Sequence, residues 1–263
     1  MHDKKIAKKG QVTIFIIVAI IIVAVLVLIF LNRNNIPSIG QKTISPVQEI
    51  KNCVNGNYEE EGSLEYIIKK IENQGGVLNN QNYFLYEGDK IEYICFTEEY
   101  NKPCIMQKPL LKQSIENEIL NAIKPRVKIC TEMLKNNLEK KGFDISYKEP
   151  IINISIIPEN IQIFIELDLI VKKDSVENYE VIKIDKNSNL YEHSIIASSI
   201  ANFESQFGDS EITDYMFYYP ELKIEKKKQG DGTTIYILKN KNTESVFKFA
   251  SRSYAIPAGI SGN

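Results

Sequence analysis

Residues 151–172 read IINISIIPENIQIFIELDLIVK, and apolar side chains occupy alternate positions on both sides of a Pro-Glu-Asn turn. The alternating set is Ile152, Ile154, Ile156, Ile161, Ile163, Ile165, Leu167, Leu169 and Val171. Because successive side chains of a strand point to opposite faces, this pattern predicts a β-hairpin with one buried face. Phe164 and Ile170 lie on the other face, and we expect a helix at 190–207 to cover part of it.

Helical and extended patterns alternate in groups around this hairpin. Apolar residues at helical spacing predict a helix at 46–75, with room for a break near 55–62, and two helices at 110–124 and 127–142 with a kink between them at Pro125. Aromatic and β-branched runs predict a hairpin at 77–105 and strands at 215–224, 233–238 and 245–254. Since no βαβ repeat occurs, the pattern predicts an α+β class, with an antiparallel sheet and several packed helices.

Residues 12–31, VTIFIIVAIIIVAVLVLIFL, carry a single polar side chain, Thr13. Twenty residues at about 1.5 Å each match the roughly 30 Å hydrocarbon core of a bilayer, so the run predicts a transmembrane helix. Four lysines precede it and only Arg33 follows closely, which predicts a single-pass cell-membrane protein with a cytoplasmic N-terminus, an extracellular remainder and membrane lipid as a partner.

The predicted transmembrane helix and its flanking segments divide the chain into five parts. We expect a basic cytoplasmic leader at 1–10, the transmembrane helix at 11–31 and a stalk linker rich in Asn, Pro, Gly and Ser at 32–46. An extracellular α+β domain at 47–257 and a flexible tail at 258–263 complete the chain.

The junction Lys8-Lys9-Gly10-Gln11, followed by the apolar run, resembles the class III (prepilin-like) signal sequence of archaeal pilins and related surface proteins. The resemblance covers about the first 31 residues. It implies that a prepilin-type peptidase cuts between Gly10 and Gln11, and that the helix then packs with other pilin-like subunits. A plain positive-inside anchor is the alternative. Pro37, Gly40 and the large remainder favour a minor pilin or a lone anchor over a bulk filament subunit.

Four cysteines fall in the predicted extracellular part, where disulfides persist. Three connectivities are possible. Cys95 and Cys104 bracket the turn-like segment TEEYNKP, so we favour one bridge between them and a second between Cys53 and Cys130. Four buried free thiols are the alternative, and the chain has no CxxC pair of the kind that binds metal.

The exposed part of the chain is mildly acidic. The whole chain has a formal charge of -2, and residues 1–33 contribute +4, so residues 34–263 carry -6. Nucleic-acid affinity depends on clustered lysine and arginine, so we expect no nucleic-acid partner.

Few residues suggest catalysis. His193 is the only imidazole beyond the leader, and a histidine near a helix start is usually a cap or half-buried. Ser194 adjoins it, but consecutive helical side chains point in different directions. No GxSxG, HExxH, P-loop or GxGxxG motif occurs. We therefore predict no catalytic residue, no metal and no cofactor.

Asp209, Glu211 and Asp214 lie close together in sequence and could bind calcium. We favour the alternative that they form an ordinary polar loop.

These observations predict a noncatalytic, membrane-anchored cell-surface protein that acts in adhesion or as a surface-filament component. The alternative is a membrane-tethered extracellular enzyme or solute-binding module. A pocket with convergent polar groups around His193, or around a carboxylate pair, would favour the alternative, and a filled domain would count against it.

Overall fold

The computed structural model describes residues 9–31, 45–243 and 245–256. The chain divides between Ile44 and Ser45 into two units, which are described separately. The first unit contributes helix α1 (Lys9–Leu31). The predicted leader falls mostly outside the described residues, as do nearly all of the stalk and the whole tail.

The second unit begins with two short helices, a small hairpin and a long helix. These elements are α2 (Pro46–Asn55), α3 (Leu64–Asn73), β1 (Tyr83–Tyr86), β2 (Asp89–Phe96), β3 (Ile105–Met106) and α4 (Leu111–Glu139). Ser45 and Ser63 cap α2 and α3, and each Oγ accepts a hydrogen bond from a backbone N–H of the first turn.

The remaining elements alternate between sheet and helix. They are β4 (Asp144–Ser146), β5 (Ile151–Ile157), β6 (Asn160–Lys172), β7 (Val176–Asn187), α5 (Leu190–Phe207), α6 (Thr213–Tyr218), β8 (Leu222–Lys228), β9 (Thr233–Asn240) and β10 (Val246–Arg252). The described residues thus form six helices and ten strands.

The strands form two sheets. In the four-stranded sheet, β6 pairs with β4 and β5 along one edge and with β7 along the other, and all pairs are antiparallel. The six-stranded sheet has the order β1-β2-β10-β9-β8, with β3 added to β2. Its β2 and β10 run parallel, whereas its other pairs are antiparallel. The expectation of antiparallel pairing throughout is therefore wrong at this one pair, which joins segments about 150 residues apart.

One core holds both sheets and helices α2 to α5 together. The hairpin predicted at 151–172 is confirmed as β5 and β6, and its alternating apolar set on β6 is buried. The helix predicted at 190–207 is confirmed as α5. It does not cover the second face of the hairpin: Phe164 and Ile170 are only half-buried, and the Lys183 ammonium lies 5.6 Å from the centre of the Phe164 ring.

Two other predicted boundaries are wrong. The two helices expected on either side of Pro125 form one helix, α4, which continues through the proline while its apolar stripe is buried on both sides of it, from Leu111 to Leu138. Packing of that stripe offsets the one hydrogen bond that proline removes. The strand expected from 215 begins only at Leu222, since Tyr215 lies in α6 and its hydroxyl is 2.8 Å from Ser199 Oγ on α5.

The prediction of a transmembrane helix at 11–31 is also wrong, and with it the fold class of a transmembrane helix carrying an extracellular domain. Within the described residues, no helix combines the length and the apolarity needed to cross a bilayer. Single-pass anchoring in the cell membrane, with the orientation inferred from it, is corrected accordingly.

Candidate functional site

A cleft of about 690 Å³ opens beside α3 and the start of α5. Six segments line it: the α2–α3 loop, α3, the β5–β6 turn, the end of β7 with the start of α5, the start of β8 with the residues before it, and the β9–β10 turn. Tyr58 and Tyr219 stand among the lining residues, and Ile68, Ile196 and Leu222 provide apolar surface. A concave site with apolar surface and a few polar groups is the usual form of a small-molecule site.

Helix α3 presents one face to the cleft. Glu65, Ile68, Lys69 and Glu72 line it, at positions i, i+3, i+4 and i+7 of the helix. Such positions share a face because the helix turns every 3.6 residues. The neighbouring face carries Leu64, Ile67 and Ile71 into the core, and this packing holds the cleft face in place.

Glu72 is the most unusual of these side chains, because it is only 6 % exposed. Its carboxylate makes no hydrogen bond or ion pair with any residue that the structure describes. Burial raises its pKa to about 7, and Lys69 and Lys186 only partly oppose that shift. The carboxyl group is therefore divided between its neutral and ionised forms near neutral pH.

The start of α5 contributes Glu192 and His193. Only Ser188 and Asn189 separate β7 from this helix, so its first turn lies directly at the end of the sheet. His193 is 1 % exposed, and neither ring nitrogen has a hydrogen-bond partner among the described residues. Burial lowers its pKa to about 4, so the ring is neutral at pH 7. Glu192 Oε2 is likewise buried without a donor in the described part of the chain.

The polar loops at the rim are tied together by their own hydrogen bonds. Asn189 Oδ1 accepts from Thr243 Oγ1 at 2.6 Å and from Ser245 Oγ at 2.9 Å. Asn240 Oδ1 accepts the backbone N–H groups of residues 242 and 243 at 2.8 and 3.1 Å. These two amide oxygens are therefore occupied, whereas the acceptors on Glu72, Glu192 and His193 are free of protein donors among the residues described.

The expected position of His193 is wrong in one respect. The ring neither caps α5 nor lies half-buried, because it packs beside Phe247 with ring centres 6.3 Å apart. Ser194 does not face it as a nucleophile would, since Ser194 Oγ donates to the carbonyl of Tyr191 at 2.9 Å. The sequence search missed Glu72 and Glu192. The signal for Glu72 was an acidic residue one helical turn after Ile68, within the apolar stripe of α3.

Both disulfides lie apart from the cleft-lining residues. Cys53 of α2 is bonded to Cys130 of α4 with a Cα–Cα distance of 5.8 Å, and Cys95 of β2 to Cys104 with 5.4 Å. This is the connectivity favoured from the sequence. The predicted cleavage junction, Gly10 and Gln11, lies in α1, and its processing stays a prediction.

The acidic loop considered for calcium has other contacts. Asp209 forms ion pairs with Lys226 and Lys228, and Glu211 Oε1 accepts from both the backbone N–H and the hydroxyl of Thr213. In the described ranges, no three histidine, cysteine or acidic side chains come close enough together to hold a metal ion.

Comparison with protein-family models, with curated proteins and with solved structures finds no match for this chain. The cleft and its buried polar side chains are thus the features of the molecule from which its chemistry is inferred.

Proposed function

We propose that this chain is a noncatalytic binding protein whose second unit holds a small polar solute in the cleft beside α3 and α5. The observation that carries the proposal is that His193 lines a cleft of about 690 Å³ while only 1 % exposed, with neither ring nitrogen paired among the described residues, and that Glu192 Oε2 in the same cleft is also buried without a donor. Buried polar groups are nearly always hydrogen-bonded, and leaving one unpaired costs about 1 to 3 kcal/mol. A bound solute supplies the missing partners.

The same residues support binding rather than catalysis. A nucleophilic mechanism needs a base that contacts the nucleophile, whereas Ser194 donates to its own helix and His193 contacts no hydroxyl or thiol among the described residues. A histidine with a pKa of about 4 is also a weak base at pH 7.

Thermal unfolding in the presence of a panel of sugars, amino acids, amines and carboxylates tests this proposal. A solute that binds the folded state raises Tm, by an amount that grows with its concentration. Asn242→Trp places a large ring at the cleft-lining β9–β10 turn, and we expect it to abolish the shift. Asn202→Trp, on an exposed part of α5 outside the cleft lining, should leave it unchanged. The proposal is contradicted if no solute of the panel raises Tm, or if the rise in Tm is the same in both variants. Turnover of a bound solute contradicts the claim that the protein is noncatalytic.

A second proposal concerns α1 and follows the pilin-like junction. The large apolar side chains described from Phe15 to Val27 are 47 to 72 % exposed. A helix that is apolar all round needs a cover. We propose that α1 helices of several copies cover one another after a prepilin-type peptidase removes residues 1–10, so that the protein serves as a filament or adhesion component.

Two measurements test this assembly. Mass spectrometry of protein from its native host should find a mature chain that begins at Gln11. Electron microscopy and sedimentation should find assemblies of that chain, which Ile17→Glu disperses and Ile17→Leu retains. Retention of residues 1–10, or a monomer with wild-type Ile17, rules out the assembly proposal without affecting the cleft.

A further inference from the structure

We propose that the solute of the cleft carries a protonated amine and that Glu72 and Glu192 bind it. This inference rests on the proposed solute-binding function and names the chemical class of the solute. It is carried by the charges of the cleft, by the buried acceptors, and by the protonation state of His193.

Acidic side chains outnumber basic ones among the cleft-lining residues. The acidic residues are Glu65, Glu72, Glu159, Glu192 and Glu221, and the basic ones are Lys69 and Lys186. Lys186 and Glu65 form an ion pair with each other. The remaining four glutamates face one lysine, so the field in the cleft favours a cation over an anion.

The carboxylates of the cleft offer acceptors without protein donors. An ionised carboxylate accepts hydrogen bonds and donates none, and charge-assisted bonds from an ammonium are about twice as strong as neutral ones. Glu192 Oε2 is buried without a donor, and Glu72 is 6 % exposed with no donor in the described part of the protein. An ammonium group, with three donors and no acceptor, is complementary to both.

His193 offers an amine one acceptor. As a neutral ring it keeps one nitrogen lone pair, while its other nitrogen carries a hydrogen and would pair with an acceptor elsewhere on the solute. A ring that stayed protonated at pH 7 would instead repel a cation. Because burial holds the pKa of His193 near 4, the ring does not add positive charge to the cleft.

Binding of an amine should be coupled to proton release. The ionisable groups that influence Glu72 are Lys69, Lys186 and Glu65, and Glu192 and His193 line the same cleft. Glu72 has a pKa of about 7, and a cation next to it favours the ionised form. If the amine binds only ionised Glu72, its affinity should rise about tenfold between pH 6 and pH 8, while the amine itself stays protonated.

Titration calorimetry on the full chain at about 0.15 M salt tests the inference. The probe is pentane-1,5-diamine, and pentane-1,5-diol is the uncharged control of equal length. We expect the diamine to bind and the diol not to bind, with the affinity rising about tenfold from pH 6 to pH 8. Heats measured in buffers of different ionisation enthalpy should show proton release near pH 7.

Two matched variants localise the effect. Glu72→Gln should lower the affinity at pH 8 at least tenfold and remove its dependence on pH. Glu132→Gln makes the same change of charge on an exposed position of α4, outside the cleft lining, and should leave both unchanged. Circular dichroism of each variant verifies that it is folded.

The outcomes separate this inference from the proposed function. If the diol or glucose binds at least as tightly as the diamine, the solute is not a protonated amine, and the proposed solute-binding function still stands. Diamine binding that Glu72→Gln leaves unchanged also overturns the assignment. A diamine that does not bind at either pH overturns the inference, and the wider solute panel then decides whether the cleft binds anything at all.

Discussion

Lys186, on β7, forms an ion pair with Glu65, in the first turn of α3, and this contact joins two walls of the cleft. Lys186 also lowers the pKa of Glu72, whereas Glu65 raises it. The pair therefore sets part of the electrostatic environment of the buried carboxyl group.

Replacing Lys186 should raise the pKa of Glu72 above its present value of about 7. Lys186→Gln removes an attractive cation and leaves Glu65 without its counter-charge, and both changes disfavour the ionised form. Carbon-13 NMR of labelled glutamate side chains measures the shift. Lys183→Gln, on the same strand and paired with Asp185, is the control. A Glu72 pKa that falls or stays constant would contradict the prediction.

Glu72→Gln should stabilise the protein at high pH. The pKa of Glu72 is about 7 when folded and 4.5 in its reference state, so the stability that its proton contributes is present below pH 4.5 and lost as the pH rises to 7. At 1.36 kcal/mol per pKa unit the loss is about 3 kcal/mol. Urea unfolding should give a variant that is more stable than wild type by up to this amount at pH 8 and nearly equal to it at pH 4.5. A variant less stable at pH 8 would show that the carboxylate has partners of its own.

His193→Leu should protect the protein at low pH. The pKa of His193 is about 4 when folded and 6.5 in its reference state, so its contribution is present above pH 6.5 and lost as the pH falls through 4. The free energy of unfolding of the wild type should drop by about 2 to 3 kcal/mol between pH 7 and pH 4.5 on this account, and the variant should lack that drop. Equal pH dependence in both proteins would show that folding does not lower the pKa of His193.

Removing the bridge between Cys53 and Cys130 should destabilise the protein more than removing the bridge between Cys95 and Cys104. The two bridges span sequence separations of 77 and 9 residues. The chain-entropy account assigns about 4.5 and about 2.5 kcal/mol to loops of these lengths. Chemical denaturation of the two double-serine variants compares them. The reverse order would show that contacts of the Cys95 and Cys104 side chains in the native state outweigh the loop entropy.

The parts of the fold that the sequence predicted are those specified by local periodicity. The β5–β6 hairpin has strict alternation and a two-residue turn, and α5 has a helical stripe of apolar residues that ends at Gly208. In both elements, the secondary structure of each residue depends on neighbours within about one helical turn or one strand pair.

The parts that were mispredicted depend on distant neighbours. Pro125 would end an isolated helix, but the core buries the apolar stripe of α4 on both sides of it. The aromatic residues of α6 favour a strand by propensity, whereas in the folded protein Tyr215 and Met216 of this helix pack against the core. The parallel pairing of β2 with β10 has no local signal.

By itself, the sequence determined the strand and helix patterns, the favoured cysteine pairs and the acidic charge, because each follows from the type and order of residues along the chain. Only the tertiary structure decided that Glu72, Glu192 and His193 share one cleft, since α3 and α5 are about 120 residues apart and their side chains meet only after the core has formed. The unusual pKa values have the same origin. A glutamate or a histidine has an ordinary pKa in the unfolded chain, and burial in the folded protein is what shifts it.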